Sequence, residues 1–234
     1  MEAVHCETTL AISPNLYTNP PATTSDFVGV AMIGSVSLFL VTRKDLKASN
    51  LAELVEEMRQ RPGKLNFASP GSGTMHHLIV ETIKVQEKVD ATHIPYQGSV
   101  TALSDLMSGR IDFMFLDAVA ALPQISANKI NVIAVAASRR NPNLPNVPTV
   151  SETFPSIDLQ AWQTIAAPKN TPPAIIQRLN EEINKSLDAP DGRASLQRVG
   201  VDANPLGLKA LEELIAKDEK RIGNLVKSLG LKGT

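Results

Sequence analysis

The sequence is poor in several things that would otherwise decide its class. It has one cysteine in 234 residues, Cys6, which excludes an internal disulfide and a cysteine-based zinc site. Lysine and arginine number 23 against 24 aspartates and glutamates, and no dense basic stripe interrupts the chain, so no nucleic-acid partner is expected. No apolar run approaches the ~20 residues of a membrane span. The opening Met-Glu-Ala-Val-His-Cys has neither the basic region nor the apolar core of a signal peptide. What remains, 43% hydrophobic and 20% charged, is the composition of an ordinary soluble protein. Its length suits two lobes or one large α/β domain with a sizeable core.

The most informative stretch is Leu65–Leu78, Leu-Asn-Phe-Ala-Ser-Pro-Gly-Ser-Gly-Thr-Met-His-His-Leu. Leu65, Phe67 and Ala68 suggest a short strand. Ser69–Gly73 must turn, because Gly71 and Gly73 permit backbone angles closed to other residues. Thr74 is placed to cap a helix in which Leu78, Ile79, Thr82 and Ile83 recur at helical spacing. A strand running into a helix start leaves amides without partners, at the positive end of the helix dipole, where an anion is favoured. The hydroxyls of Ser69, Ser72 and Thr74 add donors, so the turn reads as half of a carboxylate site. Alone, such a turn equally serves to reverse a chain. It is neither a Walker loop, lacking the lysine, nor a dinucleotide fingerprint, since His76 takes the third glycine position.

Two further units repeat the arrangement. Thr92–Pro95 reads as a strand leading into Tyr96-Gln97-Gly98-Ser99 and a helix, and Ile111–Phe115 as a strand ending at Leu116-Asp117 before another helix. Ligands of open α/β sheets sit beyond the carboxyl ends of the strands, which places Ser69–Thr74, Tyr96–Ser99 and Asp117 on one rim. Elsewhere, Phe27–Val41 is strand-like with a bend or bulge between two strands at Gly34-Ser35, and Ser49 can cap a helix with Leu51, Leu54, Val55 and Met58 on one face. Ile130–Ala137 is the most strand-like run. Thr171-Pro172-Pro173 opens a helix, and Leu208–Leu229 is a long amphipathic helix whose lysines and glutamates form a solvated face.

Ser-Pro-Gly-Ser-Gly-Thr-Met-His-His-Leu at 69–78 resembles the Ser-x-Gly-x-Gly-Thr-x-x-His-Leu of the Bug-type solute-binding receptors of tripartite tricarboxylate transporters. His93-Ile94-Pro95-Tyr96-Gln97-Gly98-Ser99 is similar to that family's His-Val-Pro-Tyr-Lys-Gly-Ser. Ala121–Ile125 and Leu144–Val150 match two more of its signatures in order. The resemblance runs from about Thr9 to the C-terminus. It implies an α/β, two-lobed periplasmic-binding-protein fold of type II that closes on a small organic acid, without catalysis, cofactor or metal. It also implies a periplasmic location and membrane components of a transporter as partners. Carried over residue by residue, the ligand loop is Ser69, Gly71, Gly73 and Thr74. His77 takes the motif histidine, and Tyr96, Gly98 and Ser99 the adjacent turn. Asp117 falls where the family often has asparagine, with Leu116 in place of a preceding aspartate.

The resemblance also implies a missing front. Family members have an export signal and a first strand–loop–helix segment with a Pro-Gly-Gly loop, and a βαβ unit takes roughly 30 or more residues. Residues 1–42 and 163–234 are then the remnant of an incomplete first lobe with open sheet edges, and 43–162 the second lobe.

Each site residue has a plainer reading. Tyr96 would serve as well in the core with its hydroxyl satisfied, Asp117 as a helix cap, and Cys6 as a small buried apolar group. His76 and His77 are adjacent on a helix, face different ways and lack the i, i+4 spacing of a zinc pair. The expectation is a receptor for a small organic carboxylate. The alternatives are a non-binding or dimerising remnant of one, with a homodimer formed through the incomplete lobe, and an α/β hydrolase, for which no nucleophile elbow is found.

Overall fold

In a computed structural model the structure describes residues 5–6, 8–20 and 22–231. Chain order is β1 (His5–Cys6), α1 (Ser13–Leu16), β2 (Phe27–Val36), β3 (Leu38–Arg43), α2 (Leu51–Gln60) and β4 (Asn66–Ser69). Then come α3 (Met75–Glu87), β5 (Thr92–Pro95), α4 (Ser99–Met107), β6 (Phe113–Asp117), α5 (Ala118–Ser126) and β7 (Ile130–Ala136). The last are α6 (Val150–Thr153), β8 (Ala161–Pro168), α7 (Pro173–Asp188), α8 (Pro190–Arg198), β9 (Val201–Ala203) and α9 (Leu208–Ser228). The side chain of Cys6, expected to be a small buried apolar group, lies outside the described residues.

The chain divides into two units, residues 1–36 with 161–234 and residues 37–160. The division falls earlier than the 42/43 boundary read from sequence, and the reason is pairing. The all-apolar run of β3 lies between β6 and β7, antiparallel to both, and so belongs to the second unit.

The first unit is built on an antiparallel sheet of order β1-β8-β2-β9. The apolar stripe of α9, Leu211, Ile215, Ile222 and Val226, is buried, and Leu211 and Ile215 pack with Leu10, Met32 and Trp162. Burial of one helix face in this way, rather than helix propensity, supplies most of a helix's stability in a folded chain. One acid of α9 departs from its expected solvated face. Asp218 is buried and accepts the indole N–H of Trp162 at 2.6 Å and the Arg221 Nε–H at 2.8 Å. Buried polar groups persist when paired in this way. A cavity of about 690 Å³ in this unit is lined by Phe27, Ile176, Leu208 and Ile215, with Thr23 and Glu212 among its polar residues.

The bend expected at Gly34-Ser35 is a register shift between Met32 and Gly34 within a continuous β2. A Cβ at Gly34 would stand 2.3 Å from the Asp202 carbonyl oxygen on β9, so glycine here permits the close approach of two backbones. Gly34→Ala is expected to cost roughly 1–3 kcal/mol, the usual price of overpacking, measured as a lower urea midpoint at unchanged slope.

The second unit carries a sheet of order β5-β4-β6-β3-β7, in which β4 runs parallel to both β5 and β6. Phe39, Phe67, Phe113 and Phe115 fill its core and are almost wholly buried. At α2 the cap is Asn50, one residue past the expected Ser49. The Asn50 Oδ1 accepts the Glu53 N–H at 2.9 Å, while Ser49 donates its N–H and hydroxyl to the Glu53 carboxylate. The connection after β4 leads through α3 outward to β5. The connection after β6 leads through α5 the other way, past β3 to β7. Between two adjacent parallel strands whose connections diverge, a crevice opens beyond their carboxyl ends. In this unit it lies between the ends of β4 and β6.

Candidate functional site

Beyond the end of β4 the chain makes the Ser69–Thr74 turn and enters α3. Positive φ at Gly73, 75°, gives the turn its shape. Its carbonyl at Gly71 gathers the Ser69 hydroxyl at 2.9 Å, the Thr74 hydroxyl at 2.9 Å and the Thr74 N–H at 3.3 Å. The hydroxyls of Ser69 and Thr74 therefore brace the turn from within instead of facing outward as donors. Thr74 stands at the N-cap position, yet its side chain does not cap the helix.

The amides divide the same way. Gly71 N–H lies 3.3 Å from the Ser69 hydroxyl, and Gly73 N–H donates to His77 Nδ1 at 3.1 Å. Among the described residues, the N–H groups of Ser72, Met75 and His76 have no acceptor. The unsatisfied donors are thus one exposed turn amide and the first two of α3, of which that of the wholly buried Met75 is closed off.

His77 is inward-facing. Its ring stacks on His93 at a centroid distance of 3.9 Å, and Phe67 stacks on His93 at 4.8 Å and on Phe113 at 5.7 Å. Because Nδ1 accepts from Gly73, the proton sits on Nε2, which faces Glu81 at 3.6 Å. Beside it, His93 Nε2 lies 2.7 Å from the Ser69 hydroxyl. That hydroxyl gives its proton to Gly71, so His93 donates and is the neutral Nε2–H tautomer. The paired imidazoles are the plinth of the turn.

Burial lowers the His93 pKa from 6.5 to about 4. Between those values the unfolded chain binds the extra proton, so stability is full above pH 6.5 and falls as pH drops towards 4. For a half-buried ring, solvent screening leaves an effect on the order of 1–2 kcal/mol. Urea unfolding at pH 7 and pH 5 should show a smaller loss for His93→Gln than for the parent. An equal loss in both would place the titration elsewhere.

The second turn supports the first. Tyr96 N–H donates to the Ser69 carbonyl at 3.0 Å and Gly98 N–H to that of Pro70 at 3.1 Å. The Tyr96 hydroxyl donates to Asp105 at 2.7 Å, and burial together with that bond pushes its pKa up to about 12. Tyr96 and Gly98 are therefore committed to holding the loop.

Ser99 and Asp117 do meet at the crevice, where Ser99 Oγ donates to Asp117 Oδ2 at 3.2 Å. The third partner is His76, which the sequence reading passed over in favour of its neighbour. It is 9% exposed, neither ring nitrogen has a hydrogen-bond partner, and its Nε2 lies 3.5 Å from Asp117 Oδ1. That separation is too long for a well-formed hydrogen bond. Burial pushes the Asp117 carboxyl upward, but the His76 ring and the Ser99 hydroxyl outweigh it and hold it below 3.8. The helix starts α3, α4 and α5 thus converge through His76, Ser99 and Asp117. Val100 and Val119, the second residues of α4 and α5, are 78% and 59% exposed.

A mixed-sheet α/β unit with a polar crevice at the switch point of its parallel strands, joined by two chain crossings to a second sheet-based unit, is the make-up of a solute-binding protein. Residues 3–231 match the model of the Tripartite tricarboxylate transporter family receptor, and the chain belongs to that family. It is 34% identical over 203 residues to the UPF0065 protein in the tcbD-tcbE intergenic region of a Pseudomonas species. That match covers 86% of this chain and 60% of the relative. Among solved structures, it is similar to R. palustris Rpa4515 with adipate, at 27% identity and a TM-score of 0.92, covering 98% of this chain and 77% of that one. It is also similar to MatC from Rhodopseudomonas palustris with bound malate, at 27% identity and a TM-score of 0.84, covering 95% and 78%.

The fold is accordingly the mixed α/β periplasmic-binding type, and the family is one of periplasmic solute receptors rather than of enzymes. The chain spans about 60% of the length of that curated relative. The homodimer raised from sequence gains no support from these matches. Among the described residues no helix is long and apolar enough to cross a membrane.

Proposed function

We propose that this chain is the receptor for a small organic carboxylate in a tripartite tricarboxylate-type transporter, acting in the periplasm alongside that system's membrane components. The observation that carries the reading is the pair of free amides at Ser72 and His76, at the start of a 13-residue helix. A carboxylate there satisfies orphan donors and sits at the positive end of the helix dipole. Ser69, Gly71, Gly73, Thr74, His77, Tyr96 and Gly98 shape and brace the turn, while Ser99 and Asp117 stand at the crevice with His76. Val100 and Val119 offer apolar surface to a hydrocarbon chain. The adipate and malate named with two similar structures support an aliphatic acid as ligand.

Titration calorimetry with succinate, malate, glutarate, adipate and citrate tests the proposal. One-to-one binding of at least one acid is expected. Heat from none of them would overturn it.

A further inference from the structure

An anion-binding crevice holding its own ionised carboxylate poses a physical problem. Asp117 stands at the N-cap position of α5 with its side chain 35% exposed, so it faces whatever occupies the crevice. Ser99 supplies one neutral hydroxyl at 3.2 Å, and His76 stands back at 3.5 Å. Two carboxylates side by side, one from the protein and one from the ligand, repel unless a donor lies between them.

His76 sharpens the problem. A buried imidazole with no hydrogen bond to either nitrogen is costly, and such a group in a native site calls for an explanation. Asp117 Oδ1 lies 3.5 Å from its Nε2, and the carboxylate must come closer before a true hydrogen bond forms. The ring thus sits behind Asp117 as a donor awaiting it. A ligand that offers a donor to the open side of Asp117 leaves this carboxylate bonded on both sides.

We propose, resting on the receptor reading above, that Asp117, positioned by His76, makes this crevice select carboxylates bearing a hydrogen-bond donor, a hydroxyl or an ammonium, on the adjacent carbon. The ligand carboxylate lies on the amides of Ser72 and His76, and its neighbouring donor bonds Asp117. An unsubstituted acid of the same length leaves Asp117 unpaired beside a second negative charge. Sites built to bond a ligand donor discriminate strongly against the analogue that lacks it. Asp117 is the specificity-determining residue and His76 its positioning residue.

Calorimetry on matched pairs provides the test, with succinate against malate, glutarate against 2-hydroxyglutarate, and aspartate to separate ammonium from hydroxyl. The hydroxy acid is expected to bind at least about tenfold more tightly than its parent. In Asp117→Asn the ratio should fall to about one, chiefly because the unsubstituted acid binds better once the charge is gone. His76→Phe should lower the ratio while leaving the unsubstituted acid bound, an outcome that general damage to the fold would not give. Equal affinity for both members of a pair, or a ratio unchanged in Asp117→Asn, overturns the inference and leaves the receptor reading standing. No binding of any acid by the parent protein overturns the receptor reading itself.

Discussion

Replacing Ser72 by proline is expected to weaken carboxylate binding about tenfold or more, whereas alanine at the same position should change it less than about threefold. The contrast separates two donors that share one residue. Proline deletes the N–H, which has no acceptor within the protein, and a hydrogen bond to a charged group is worth roughly 1.5–3 kcal/mol. Alanine deletes only the hydroxyl and leaves the amide in place. Ser72 is exposed, and thermal melts of both variants separate a lost contact from a lost fold. Equal losses from alanine and proline would move the contact from the backbone to the hydroxyl.

The largest expected effect on stability is that of Phe67→Ala, at about 3–5 kcal/mol and roughly 10 °C in melting temperature. Phe67 is wholly buried, stacks on Phe113 and His93, and has the Lys84 ammonium 5.4 Å from its ring centroid. The cavity left by truncation would open directly beneath the imidazole pair. His93 would lose its stacking face, and with it the fixed donor to Ser69 that shapes the turn. Binding should weaken together with stability. Phe115→Ala, in an equally buried ring of the same sheet, should cost similar stability with a smaller loss of binding. Parallel losses in both would show that the stack contributes packing alone.

Much of the fold was legible because period and burial agree. The stripe of α9 and the run Ile130–Ala136 follow the sequence closely. The stretch 190–203, which forms α8 and β9, carried no such signal, since no residue of α8 is buried. Strand β3 was legible as a strand but not by unit. An all-apolar Leu-Phe-Leu-Val suits the centre of either sheet, and only its pairing with β6 and β7 decides.

The site was legible as a turn and not as a set of contacts. Glycine, serine and threonine in this order point to amides at a helix start. Which hydroxyls turn inward depends on the Gly71 carbonyl, which no spacing reveals. Adjacent histidines on a helix point about 100° apart, so one of His76 and His77 had to face in. The partner that takes His77 inward is His93, on the neighbouring strand, and this frees His76 to face Asp117. The motif marks His77, whose ring is stacked on His93, because a residue that shapes a loop leaves as strong a sequence mark as one that touches a ligand.

The most direct measurement is an amide-resolved NMR titration with the tightest-binding acid. The N–H resonances of Ser72 and His76 should move downfield together and saturate at one equivalent, with Gly73 shifting less because His77 already holds it. Saturable binding that leaves these two resonances unmoved would contradict the helix-start site.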